Sequence, residues 1–284
     1  EYVYSDSIIW GFTQDHLNGT GCMDLGDILV MPSTGKRTRS WDGYRSHFYK
    51  TQEFATPGYY SVYLTDTKVK AELTASAHVA FHRYTYDSTD STSVLIDLQH
   101  GPAWNDKQYH SQVNRCETHW EDAYTLVGHV QNTVWVKQDY FFIIKFNRPV
   151  ASHITLSKAA DTEKGDRIVA TFDGIEQGEQ LLMKIAMSTT SVDGAKKNLY
   201  TEVPYWDFAA VKQSANNEWN TYLKRIDIEG TDDQKKNFYT SFYHALIQPN
   251  QIADVDGMYR NAADKIVKAE NGLFYSTFSC WDTY

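Results

Sequence analysis

The sequence predicts a mainly β protein: an N-terminal antiparallel β-sandwich, then a linker helix, then the first helices of a second unit. Three observations predict it. Short runs of alternating apolar and polar residues, separated by turn signals, fill the chain to about residue 200. No long helical period interrupts them. Near residue 204 the apolar spacing changes to steps of three and four, which is helical. The expected boundaries are 1–203 for the sandwich, 204–230 for the linker helix, and 231–284 for the beginning of the second unit.

The elements follow in chain order. Tyr60, Val62 and Leu64 alternate, and so do Val69, Ala71 and Leu73, with Thr65-Asp66-Thr67 as the hairpin turn between them. Ser93 to Leu98 is a further strand. Tyr140 to Phe146 is apolar on both faces and ends at Arg148-Pro149, where the proline cannot continue a ladder. Ile168, Ala170 and Phe172 alternate up to Asp173-Gly174, and Leu181, Met183, Ile185 and Met187 alternate after it. Pro204 suits the first turn of a helix, and Phe208, Val211, Ala215, Trp219, Tyr222, Leu223 and Ile226 continue at helical spacing. Thr231-Asp-Asp-Gln234 is a capping box, in which the hydroxyl takes a backbone N–H and the amide reaches back. The helix it opens carries Phe238, Phe242, Ala245 and Leu246 on one face and stops before Pro249. Residues 250–272 read as loop, and 274–284 as the entry to another helix. The helical unit has few elements against which to bury its apolar faces, so the chain is expected to be a fragment.

Composition excludes several function classes. The formal net charge is -9, and Lys and Arg are scattered, which disfavours nucleic acid. The tightest basic cluster, Lys36 to Arg39, reads as a solvated turn. Mean hydropathy is -0.53, and no apolar run reaches the roughly 18 residues of a membrane helix. The first residues lack a basic and then apolar leader pattern, so no signal peptide is expected within the chain. Three cysteines, Cys22, Cys116 and Cys280, cannot all pair with one another, and no CxxC supports a zinc ribbon. The aromatic load of 20 Tyr, 13 Phe and 8 Trp suits a β core and sugar stacking equally.

Local chemistry is sparse. No GxSxG, HExxH, P-loop or GxGxxG occurs. The histidines, among them His82, His100, His110, His119 and His129, show no ligand spacing and read as structural or exposed. Asp254-Val-Asp256-Gly257 lacks the spacing and closing Glu of an EF-hand loop, and reads as a surface turn. His16 to Gly21 is a turn-rich loop whose glycines either admit a ligand or supply a tight turn. Asn18-Gly-Thr20 matches a glycosylation sequon. A glycosidase needs a carboxylic acid and a carboxylate flanking the scissile bond, and nothing among 36 acidic residues marks such a pair. Trp281-Asp282 suits a pyranose, with ring stacking on its apolar face and the carboxylate accepting from two hydroxyls. A buried Trp followed by an Asp at a helix start explains the same pair.

Four segments carry a more specific pattern: Gly11 to Pro32, Glu53 to Ala75, Phe238 to Arg260, and Phe274 to Tyr284. In this order they resemble bacterial glycoside hydrolase family 92. The resemblance implies a calcium-dependent, inverting exo-α-mannosidase, removing terminal α-1,2-linked mannose in the degradation of N-glycans. It implies a secreted, periplasmic or cell-surface location and a sandwich joined by linker helices to an (α/α)6 barrel. It places Trp281 and Asp282 in the terminal-mannose subsite, His16 on a sandwich loop facing the cleft, and Asp256 and Arg260 near the barrel mouth. The catalytic acid, the base and the Ca2+ ligands come from the barrel beyond residue 284, so the chain itself carries no catalytic or metal residue and is expected to be inactive alone. The family's glycine-rich opening segment would precede Glu1. Position 14 is Gln where the family has a run with two histidines, which bears on linkage preference. A non-catalytic carbohydrate-binding sandwich is the alternative, and an adhesion role the third. A membrane-spanning segment is not expected.

Overall fold

The computed structural model describes residues 3–15, 27–35, 41–88, 90–101, 103–104, 109–110, 112–133, 137–158, 161 and 163–276. Its principal strands are β1 (Leu29–Thr34), β2 (Glu53–Thr56), β3 (Tyr59–Leu64), β4 (Val69–Ala75), β5 (Val79–Tyr86), β6 (Thr92–Asp97), β7 (Gln112–Asp122), β8 (Thr125–Thr133), β9 (Lys137–Phe146), β10 (Ser152–Thr155), β11 (Arg167–Phe172) and β12 (Gln180–Ser188). They form two antiparallel sheets. The larger has eight strands in the order β7-β8-β9-β12-β5-β4-β3-β2, and the smaller has four in the order β10-β11-β6-β1. Pro32 lies in β1, an edge strand, where a missing N–H does not interrupt a central ladder.

The two sheets close on one core. Its centre includes Met31, Leu64, Tyr84, Tyr86, Leu95, Ile96, Phe142, Ile144 and Met183, all at most 1% exposed. Leu64 and Met183 belong to the predicted alternations, which send them inward. The other face of the large sheet is also covered. Phe81, Ile143 and Ala186 pack there against Ala195, Leu199, Val203 and Phe208. Burial on both faces explains why the segment from Tyr140 to Phe146 is apolar on both faces, Lys145 apart.

Three helices follow: α1 (Val192–Glu202), α2 (Phe208–Leu223) and α3 (Asp232–Leu246). The capping box at Thr231 is formed, with Gln234 accepting from the Thr231 N–H and donating its own N–H to Thr231 Oγ1. α3 stops before Pro249, as expected. Three expectations are corrected. Helix begins at Val192, capped by the Ser191 hydroxyl, about a dozen residues before the anticipated change of period. Pro204 does not open α2, whose cap is Asp207, the carboxylate accepting from the Ala210 N–H. Residues 250–272 are not purely loop: β13 (Met258–Arg260) and β14 (Ile266–Lys268) form a small hairpin. Among the described residues no helix is long and apolar enough to cross a membrane.

Candidate functional site

Ladder register places β8 Thr133, β9 Lys137, β12 Ser188, β5 Val79 and β3 Tyr59 at one end of the large sheet. Asn132, at that end, donates to the Asp27 carboxylate just before β1. The corresponding end of the small sheet carries Leu29, Asp97 and Arg167, mutually in register. This shared end of the sandwich is polar, in contrast to the core beneath it. Buried Asp97 accepts from Arg167 Nε at 3.0 Å and from the backbone N–H groups of Gln99 and His100. Arg167 also grips Glu163 in a two-point contact.

One side of this end supports the loop that contains His16. Phe12 bridges Val30, the Gln14 N–H donates to the Asp27 carbonyl, and the Asp27 N–H donates to Asp15 Oδ1 at 2.6 Å. Gln14 turns inward. Its amide nitrogen donates to the carbonyls of Phe12 and Ile28, and its oxygen lies 3.2 Å from His82 Nε2. His82 Nδ1 is 2.8 Å from the Tyr84 hydroxyl, and complete burial pushes His82 down to about 3. A neutral ring that donates from Nε2 and accepts at Nδ1 satisfies every group. Gln14 thus splints the loop stem from beneath. His16, Asn18 and Thr20 lie outside the described residues.

The other side is crossed by the segment 250–276, tied down at three places. The first is β9, where Asp139 Oδ1 accepts from His129 Nε2 at 2.7 Å and from Gln131 Nε2 at 2.9 Å. Burial pushes the Asp139 carboxyl up, but those two bonds and the Lys137 charge outweigh it and hold it below the carboxylate range. Lys137 reaches on to Asp264, which also pairs with Arg260. The second is β12 and α1. Asp254, 1% exposed, accepts from Ser188 Oγ, Thr190 Oγ1 and Asn198 Nδ2 at 2.7–2.8 Å. The third is the hairpin between β4 and β5, where His78 lies between Glu202 and the Ala253 carbonyl.

Asp256 and Arg260 are therefore placed in this strap. Asp256 pairs with Lys197 at 2.8 Å and accepts from the Met258 N–H, and the lysine contact holds its carboxyl low. Arg260 Nε donates to the Thr189 carbonyl at 2.9 Å. Asp254, expected in a surface turn, is a buried anchor, because donors from β12, from the turn after it and from α1 meet it. The turn itself is present, with Gly257 at φ +81°. Among the described residues no group of three or more His, Cys, Asp or Glu side chains fits a metal ion.

The strap leads directly to the C-terminal aromatic motif. The Ile252 N–H donates to the Phe274 carbonyl, Ser276 N–H to Asn250, and the Tyr259 and Phe274 rings stack at 3.8 Å. Trp281 and Asp282 lie outside the described residues, five and six positions past Ser276. The structure brings the stem of the His16 loop and the root of the Trp-Asp segment to the same end of the sandwich. Sequence reasoning missed Asp254, His78 and Glu202, whose roles arise from residues far along the chain.

Two packed antiparallel sheets, followed by three helices and a strap that returns to the polar end, define the class: a β-sandwich domain joined to the opening of a second domain. Residues 1–188 match the glycosyl hydrolase family 92 N-terminal domain, and residues 194–284 match the glycosyl hydrolase family 92 catalytic domain. The chain belongs to this family. It is similar to a family GH92 alpha-mannosidase from Bacteroides thetaiotaomicron, with 29% identity, TM-score 0.89 and coverage of 99% of this chain and 40% of that one. The same alpha-mannosidase in complex with mannoimidazole matches equally, with 39% of that chain covered. An inverting mannosidase of family GH92 from Bacteroides thetaiotaomicron VPI-5482 shares the fold at 23% identity and TM-score 0.82, over 99% of this chain and 38% of that one. No curated protein matches the chain. The chain spans about two fifths of the length of the solved relatives it matches.

Proposed function

We propose that this chain is the sandwich and the opening of the catalytic unit of an exo-α-mannosidase that removes terminal α-linked mannose, with inversion and calcium assistance. The observation that carries this reading is the match to a family GH92 alpha-mannosidase across 99% of the chain, continuous from the sandwich into the catalytic domain. In this reading Trp281 stacks on the terminal mannose and Asp282 accepts from its hydroxyls, with His16 facing the cleft from the sandwich loop. Asp256 and Arg260 contribute to substrate binding from the strap, near the barrel mouth. In this reading the Ca2+ ligands and the catalytic acid and base come from barrel residues outside this chain. We propose α-1,2-linked mannose on N-glycans as the substrate and a location outside the cytoplasm of a bacterium.

The test is mannose release from α-1,2-mannobiose by the 284-residue chain and by a chain extended through the whole catalytic domain, with and without a calcium chelator. Release by the extended chain alone, abolished by chelation and restored by Ca2+, supports the reading. Mannoside binding by both without release by either would make the protein a carbohydrate-binding sandwich. Chelator-resistant release would remove calcium from the mechanism.

A further inference from the structure

We infer that His78 is a positioning residue that works as an imidazolium, clamping the strap before the Trp-Asp motif onto the sandwich. Both ring nitrogens face acceptors. Nδ1 lies 2.5 Å from Glu202 Oε1, and Nε2 lies 2.8 Å from the Ala253 carbonyl oxygen. A carbonyl only accepts, so Nε2 must carry hydrogen. Glu202 is held as a carboxylate: its Oε2 accepts from Ser76 Oγ at 2.5 Å and from the His78 N–H at 2.9 Å. Nδ1 therefore carries hydrogen too. One ring joins three elements: the hairpin between β4 and β5, the last turn of α1, and the strap. His82 is the contrast, with one donor and one acceptor around a neutral ring.

The charged groups acting on the His78 ring are Glu202 from α1 and Asp254 from the strap, both anionic. Burial lowers the ring's basicity. The Glu202 bond and charge, the Ala253 carbonyl and the Asp254 charge outweigh it and raise His78 above its ordinary value. Burial likewise pushes Glu202 up, and the bonds from His78 and Ser76 outweigh it and bring it down. The signs follow by linkage. A raised histidine contributes stability that is complete below about pH 6.5 and is lost as pH rises through its folded value. A lowered glutamate contributes stability that is present above its unfolded value and is lost as pH falls through its folded one. The clamp is thus closed between the two. When it opens at the alkaline side, one of the two ring bonds is lost, and Ala253 is the end joined to the motif. The Ala253 and Ile252 N–H groups both face the Phe274 carbonyl, so the disturbance reaches the root of the segment bearing Trp281 and Asp282.

The consequence for the mannose subsite rests on the proposed function; the clamp itself does not. The test is a pH titration of the 284-residue chain, read by ring-nitrogen NMR of 15N-histidine-labelled protein and by amide hydrogen exchange. His78 is expected to carry both ring protons at pH 6. As it titrates, protection factors at Ile252, Ala253 and Ser276 should fall about tenfold while those of β9 hold. A single ring proton at pH 6, or protection indifferent to the titration, would overturn the inference. His78→Gln should abolish the pH dependence of protection. Should that variant not fold, Glu202→Gln keeps the ring and must lower its midpoint, and an unmoved midpoint refutes the clamp. In the extended chain, KM for the mannoside should rise through the same midpoint with kcat little changed. If exchange follows the ring but no mannoside binds, the clamp stands and the proposed function falls.

Discussion

Gly194→Ala should destabilise this protein, although the same change within a helix ordinarily stabilises by about 0.5–1 kcal/mol. Gly194 lies in the first turn of α1, with its N–H capped by Ser191 Oγ at 3.0 Å. A Cβ placed there would sit 2.6 Å from each of three oxygens: Asp254 Oδ2, Ser188 Oγ and Thr190 Oγ1. Those oxygens bond one another at 2.7–3.0 Å, so none can withdraw without giving up a partner. Overpacking alone costs about 1–3 kcal/mol. Losing one hydrogen bond to a buried carboxylate adds roughly 1.5 kcal/mol or more. Setting the propensity gain against these leaves a net loss of about 1.5–4 kcal/mol, or roughly 3–7 °C in Tm for a chain of this size. Calorimetry with urea unfolding reads the change. The cycle with Asp254→Ala locates it: removing the carboxylate should relieve the alanine, giving a coupling of about 1 kcal/mol or more. A Gly194→Ala protein as stable as the parent, or additive with Asp254→Ala, would refute the close-approach argument.

Further outcomes are expected. Lys184 is buried in the outer face of the large sheet, donating to the Val203 carbonyl at 2.8 Å with Trp206 4.2 Å away. Burial, helped by the Lys145 charge, pushes it down to about 8. The unfolded chain holds lysine near 10.4, so between these values it binds more protons and Lys184 makes stability rise with pH. Urea unfolding at pH 7, 9 and 10 should show this rise in the parent relative to Lys184→Met. Thr231→Ala should cost about 1 kcal/mol and fray the start of α3, read by hydrogen exchange. Trp281→Ala in the extended chain should weaken mannoside binding about tenfold, measured by calorimetry, with the sandwich's melting unchanged.

Much of the sandwich was legible because a strand writes its burial into a two-residue period. Tyr60 to Leu64 and Val69 to Leu73 alternate, and they pair as β3 and β4 around the expected turn. The capping box was legible because all its atoms lie within four residues. α1 was not. Its buried face is Gly194, Ala195, Asn198 and Leu199, and half of that face is polar or bare because it meets Asp254 instead of hydrocarbon. Pro204 misled for a similar reason: the chain around it is held by the Lys184 bond to Val203, so the helix restarts only at the Asp207 cap.

Sequence by itself determined the strands at 60–64, 69–73, 93–98, 140–146, 168–172 and 181–187, the capping box before α3 and the family, since each depends on neighbours a few residues apart or on an ordered set of motifs. The tertiary structure decided the charge state of His78, the burial of Asp254 and the inward turn of Gln14. His78 meets partners 124 and 175 positions away, and Asp254 meets donors 56 to 66 positions away. A proton or a buried charge is priced by the field of whatever surrounds it, and that field exists only once the chain has folded.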